Sequence, residues 1–250
     1  MSYYDYRAGK KRIKEILDNK LEVKNEKIPK TDSSEFTYDN SFYHWVGAIF
    51  VDIRDSSTLF SEEDKIEISK IIRSFTSEII EILRDDNNLR EIGVRGDCVY
   101  GIYSTPLKSD ILELADKTFY INTFMSMLNK LLKEKGFLEI KVGIGMAVNE
   151  ELVVKAGRKG TGINNAVWIG DAVTKASNLS SLGNKNNISC LCFSTTAFDN
   201  FIDGFKKRNE GIDVDSWFTK EYSYDLNSYF YSSKIVKLSF DNWINGGMLD

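Results

Sequence analysis

Cysteine, proline and histidine are nearly absent from this chain: three, two and one among 250 residues. Cys98, Cys190 and Cys192 cannot all pair, and Cys190-Leu191-Cys192 alternate within an apolar run, so they read as buried strand residues and not as a disulfide framework. With His44 the sole histidine, no zinc set can be assembled. Free thiols suit a reducing cytoplasm. Long apolar runs are missing as well. Nothing approaches the roughly 20 residues needed to cross a bilayer, and MSYYDYRAGKKRIKEIL lacks the apolar centre of a signal peptide, so the expectation is a soluble chain without membrane insertion. There is no excess of positive charge either. Lys and Arg number 33 against 37 Asp and Glu, and the basic runs are only Lys10-Lys11-Arg12 and Lys206-Lys207-Arg208. A nucleic-acid binder would carry a basic stripe.

What is present is apolar patterning. Hydrophobic residues make up 42% of the chain, enough for one sizeable core at this length. VGAIFVDI (46–53) is a β-branched and aromatic run without helical period, a buried strand. RDSST follows as turn chemistry, and Ser61 with Glu62, Glu63 and Asp64 suits a helix N-terminus. Over 64–84, Ile68, Ile71, Ile72, Phe75, Ile79 and Leu83 recur at helical spacing. NNLREIGVRGDCVYGIYS predicts two short strands about a tight Arg95-Gly96-Asp97 turn. Pro106 breaks the chain, and a second long helix is predicted over 109–135 with Gly136 as its cap.

FLEIKVGIGMAV is a further buried strand, in which Gly143 and Gly145 signal close backbone approach. A polar, glycine-rich stretch leads into VWIGDAVTKASNLSSLG, whose second half predicts a short helix ending at Gly183. ISCLCFS and YFYSSKIVKLSF (229–240) read as the remaining strands. Residues 1–40 look like an appendage: a helix over 7–17, then a polar arm holding Pro29. For 41–250 the order β-α-β-β-α-β with additions predicts an α+β, ferredoxin-like βαββαβ fold with a mostly antiparallel sheet.

Two acids sit where acids are expensive. Asp52 lies inside the first strand between Val51 and Ile53, and Asp97 at the hairpin tip. Such a carboxylate needs a cationic partner. Arg54 or Arg95 could supply it as a salt bridge; a divalent ion, which takes one or two carboxylates plus substrate phosphates, could do so equally. The βαββ order makes the first strand and the hairpin neighbours, which favours one shared metal site.

FVDIRDSSTLF, RGDCVYGIY, KVGIGMAV and VWIGDAVTKASNL together resemble, in order over 46–195, the motifs of class III nucleotide cyclases. The resemblance implies that Asp52, Asp97 and the Ile53 carbonyl hold two Mg2+ or Mn2+ ions, one activating the ribose 3′-hydroxyl and the other neutralising the triphosphate. It implies phosphate contacts from the backbone of Asp55, Ser56, Ser57 and Thr58, a phosphate-binding role for Arg158, and substrate contact near Arg95. It also implies a homodimer whose two composite sites take the metals from one chain and the later helix from the other.

Several positions depart from the purine-cyclase pattern. Where the base-reading Lys and Asp belong stand Gly93 and Val167; where the ribose-orienting Asn and transition-state Arg belong stand Thr174 and Asn178. A pocket without its purine-reading groups loses discrimination for purines. KAGRKGTGINNAVWIGDAV, RGDCVY and YFYSSKIVKLSFDNWI are similar to the pyrimidine cyclases of the bacterial Pycsar anti-phage system. That branch makes cyclic UMP or, less often, cyclic CMP, which activates an effector protein. UTP is then the favoured substrate, with Phe50 and Trp168 either bordering a small base pocket or packing in the core. Three rivals stand beside this reading: a purine cyclase with an unusual pocket, a catalytically degenerate nucleotide sensor, and a two-metal polymerase palm.

Overall fold

A computed structural model describes residues 4–57 and 64–249. Its elements, in chain order, are α1 (Tyr6–Leu17), β1 (Glu22–Lys24), β2 (Asn40–Ile53), α2 (Lys65–Arg84), β3 (Leu89–Arg95), β4 (Cys98–Ser104), α3 (Lys108–Glu134), β5 (Val142–Gly157), β6 (Asn164–Ile169), α4 (Asp171–Leu182), β7 (Leu191–Ser194), α5 (Thr195–Arg208), β8 (Phe218–Ser223), β9 (Ser228–Ser233) and α6 (Leu238–Asn245). The sheet runs β3-β4-β2-β5-β7-β9-β8, with β1 beside β2 and β6 beside β5. Its first four strands have the ferredoxin-like order, all antiparallel; β1–β2 and β5–β7 are the parallel pairs.

One face of the sheet is closed by α2, α3 and α5. Ile71, Phe75, Ile79 and Leu83 follow one another at four-residue steps and bury a single stripe of α2 against Ile49, Val51 and Ile53. Asp64 caps that helix, its Oδ1 accepting from the N–H groups of Ile66 and Glu67. The proposed cap at Ser61 lies outside the described residues. The long α3 is buried along most of its length, and Gly136 follows it in left-handed conformation.

The opposite face carries α4 alone over β2, β5 and β7. Ala172, Ala176, Leu179 and Ser180 form its inner side. Gly145 allows the approach: a Cβ there would overlap the Ala176 carbonyl and the Ser180 N–H, both backbone. The chain after α1 helps to cover the neighbouring part of this face. Ile28 and Phe36 are fully buried with Phe42, Val46 and Ile102, and Thr31 donates to the Arg90 carbonyl at 3.1 Å.

Two expectations are corrected. Residues 229–240 are not one strand: β9 stops at Ser233 and α6 begins at Leu238. The partner strand β7 has only four residues, so nothing remains for 234–240 to pair with; Ile235 and Phe240 pack on the core instead. The polar, glycine-rich stretch after Val148, left without an element by its sequence, is mostly strand: β5 runs on to Gly157 and returns as β6. Cys190 is buried but precedes β7 rather than lying in it.

Candidate active site

Strand register sorts the α4 side of the sheet into rows. Arg95, Cys98, Asp52 and Gly143 are opposite one another across β3, β4, β2 and β5. The next row, about 7 Å further along the strands, is Gly93, Tyr100, Phe50 and Gly145. A third holds Glu91, Ile102, Ala48 and Ala147. Residues two apart share a face, so all three rows look the same way, and most of the sequence-derived candidates on these strands lie in the first two.

Asp52 is half-buried where β2 ends. The β3–β4 turn, with Gly96 at φ 63, places Asp97 next to Cys98, the residue facing Asp52. Burial pushes the Asp52 carboxyl above its ordinary range; Arg54 draws it back, and Asp97 pushes it up again. The Cys98 thiol between them is pushed up to about 12, first by burial and then by Asp52. Arg54 is 7% exposed and pairs with Asp52 at 3.3 Å, while donating to the carbonyls of Ser180 and Ser181 at the end of α4. The salt-bridge alternative is thus realised by Arg54. Arg95 is exposed and makes no ion pair with Asp97 among the described residues.

One guanidinium shared between a carboxylate and two carbonyls leaves the two acids under-compensated. Among the described residues no group of three or more His, Cys, Asp or Glu comes together. Two oxygen-donor side chains fit a hard divalent ion that completes its shell with water and phosphate, and not zinc. Ile53 follows directly, with Asp55 in left-handed conformation (φ 55) as the chain turns. Asp55 and Ser57 are exposed and Ser56 half-buried, whereas Thr58 lies outside the described residues.

The base-pocket candidates divide. Phe50 stacks on Tyr100, ring centres 5.1 Å apart and planes 11° off parallel. Tyr100 fills the space above Gly93, where a Cβ would lie 2.6 Å from its hydroxyl oxygen. Trp168 reaches this group from β6, its indole N–H donating to Glu91 at 2.8 Å, and packs at the edge of the cluster containing Ile102 and Val153. Core packing is therefore observed for it. Val167, on the other face of β6, is 40% exposed and stays outside.

Arg158 is exposed in the β5–β6 turn, and Thr174 and Asn178 are exposed one turn apart on the outer side of α4. None of the three shares a hydrogen bond or ion pair with Asp52 or Asp97 among the described residues. Sequence reasoning passed over Tyr100 and Glu91. Alternation from Asp97-Cys98 would have put Tyr100 on the site face, but no local signal marks Glu91.

The adenylate and guanylate cyclase catalytic domain matches residues 39–212. A uridylate cyclase of Treponema porcinum is 51% identical over 247 residues, spanning 99% of this chain and 83% of that protein. A uridylate cyclase of Gulbenkiania mobilis is 28% identical over 249 residues, 96% of this chain and 95% of the other. The adenylyl cyclase CyaB of P. aeruginosa superposes with a TM-score of 0.60 at 15% identity, over 77% of this chain and 95% of its own. With the paired acids at the end of β2 and at the β3–β4 turn, on a βαββαβ sheet matched over most of its length, the chain belongs to the class III nucleotide cyclases.

Proposed function

We propose that this cyclase converts a pyrimidine nucleoside triphosphate, UTP ahead of CTP, to the 3′,5′-cyclic monophosphate and pyrophosphate. The observation that carries the reading is the second row of the sheet. At Gly93 there is no side chain to read a purine edge, and the Tyr100 ring, stacked on Phe50, occupies the space such a side chain would need. A single-ring base suits the shallower pocket that remains. The names of the two relatives point the same way.

In the reaction the ribose 3′-oxygen bonds to the α-phosphorus, the bond to the bridging oxygen breaks, and pyrophosphate leaves. Two magnesium or manganese ions held by Asp52, Asp97 and the Ile53 carbonyl would acidify that hydroxyl and neutralise the triphosphate. Arg54 keeps Asp52 oriented by anchoring it to the end of α4. The exposed backbone from Asp55 to Ser57 lies beside Asp52 and is available to phosphate oxygens. Arg158, Thr174 and Asn178 are exposed, open to a second chain, which supports a homodimer in which each chain completes its partner's site. Thr174 can hydrogen-bond a ribose; Asn178 carries no charge for the transition state, so Arg158 of the second chain takes that part.

The similarity to the Pycsar branch supports an anti-phage second messenger that acts through a cyclic-nucleotide-activated effector. Three free thiols support the cytoplasm as its compartment. No helix among the described residues is long and apolar enough to cross a membrane. The test is incubation of the purified chain with UTP, CTP, ATP and GTP in manganese. Cyclic UMP as the main product is expected, and conversion of ATP or GTP alone would overturn the proposal.

A further inference from the structure

Glu91 has no place in the metal pair or the phosphate contacts, yet two aromatic side chains are bonded to it. It is half-buried on β3, one row beyond Gly93. Its Oε1 accepts from the Tyr100 hydroxyl and its Oε2 from the Trp168 indole N–H, each at 2.8 Å. Both carboxyl oxygens are therefore engaged by rings that come from different parts of the chain. Tyr100 is its neighbour in the hairpin, whereas Trp168 lies 77 residues on, in the β5–β6 arm. Tyr100 is held over Gly93 and flat against Phe50. Its hydroxyl, pushed up to about 12 by burial and by the Glu91 bond, keeps its proton at neutral pH. That one proton is committed to Glu91, so towards the pocket the oxygen can only accept.

We infer that Glu91 is a positioning residue for base selection: by fixing Tyr100 and Trp168 it holds the wall of the base pocket where a pyrimidine fits and a purine does not. The assignment rests on the pyrimidine reading above. Without the carboxyl, no side-chain hydrogen bond among the described residues keeps Tyr100 over Gly93. Rotation about its first side-chain torsion would then uncover the glycine and deepen the pocket. Trp168 would lose its only side-chain hydrogen bond among the described residues, loosening the arm at the same point.

The experiment is steady-state kinetics of the full chain with UTP, CTP, ATP and GTP, for the parent, Glu91→Leu, Glu91→Gln, Tyr100→Phe and Trp168→Phe. Glu91→Leu should raise KM for UTP about tenfold with a much smaller change in kcat, and raise the ATP-to-UTP ratio of kcat/KM by about tenfold or more. Glu91→Gln, which can still accept from one ring, should fall between it and the parent. Tyr100→Phe and Trp168→Phe each delete one of the two bonds while keeping the ring, and should each reproduce part of the effect; they carry the test if Glu91→Leu does not fold. Unchanged KM and selectivity in folded variants would overturn the assignment. So would an equal loss with all four nucleotides, the mark of a merely structural role. A parent that converts only purine nucleotides would overturn the pyrimidine reading and this assignment together. A parent that converts UTP, beside variants of unchanged selectivity, would overturn this assignment alone.

Discussion

The carboxyl of Glu151 is completely buried beneath the first turn of α4, its Oε1 3.2 Å from the N–H of Val173. α4 has no side-chain cap of its own. The residue at its N-cap, Gly170, leaves room for Glu151, since a Cβ there would lie 2.7 Å from the Glu151 Cγ. An acid from β5 thus does the work of a cap and suits the positive end of the helix. Its Oε2 has no hydrogen-bond partner among the described residues, and burial outweighs the two backbone N–H groups, so the carboxyl titrates above its ordinary value of 4.5.

That shift sets a pH dependence. An acid raised on folding favours the native state fully below its unfolded pKa and loses that contribution as pH rises through the folded value. Glu151→Gln removes the titration. Thermal melts of the two proteins should therefore diverge in the variant's favour as pH climbs from 4.5. A difference that stays constant with pH would refute the linkage.

Asp52 presents the opposite trade between stability and activity. Asp52→Asn should abolish cyclisation, by more than about a hundredfold, while leaving the melting temperature unchanged or slightly raised, because the charged form is the one that burial disfavours. Parallel activity and melting measurements decide this. A large loss of stability would show Asp52 to be a structural ion-pair partner of Arg54 first.

Gly145→Ala should be among the most damaging small substitutions in the chain. The new methyl would meet the backbone of α4 at Ala176 and Ser180, which cannot rotate away. Chemical denaturation should show a loss of about 3 kcal/mol or failure to fold. An alanine variant of parental stability would mean that α4 is less tightly seated than the structure has it.

Composite sites predict complementation. A chain carrying Asp52→Ala and another carrying Thr174→Ala with Asn178→Ala should each be weak alone. Mixed and allowed to exchange, they form dimers with one intact site, restoring about a quarter of parental activity under random pairing. If mixtures never exceed the sum of the two variants, the sites do not cross between chains.

Much of this could be read from the residues. Asp52 stood out because it lies inside an apolar strand, Asp97 because it sits at the tip of a neighbouring hairpin, and Gly143 and Gly145 because nothing else excused two glycines in a core strand. The wall of the base pocket was less legible. Trp168 and Glu91 meet only after β5 has run past its apolar half through Asn149-Glu150-Glu151, a stretch whose polarity reads as loop. Glu151 is buried there because α4 supplies its partners, which no local pattern foretells. Residues 195–208 went unassigned, although Phe198, Phe201, Ile202 and Phe205 form an apolar stripe on α5; four apolar positions in two turns were overshadowed by the strand before them. Of the strand predicted over 229–240, the part beyond Ser233 had suitable residues but no neighbour to pair with.

α4 is held to the sheet by alanines and two glycines, and it offers Thr174 and Asn178 to the outside. Folding constrains its inner side almost completely and its outer side hardly at all. Substitutions at those two positions can therefore accumulate without the molecule losing its shape, whereas a change at Gly145 would unseat the whole helix.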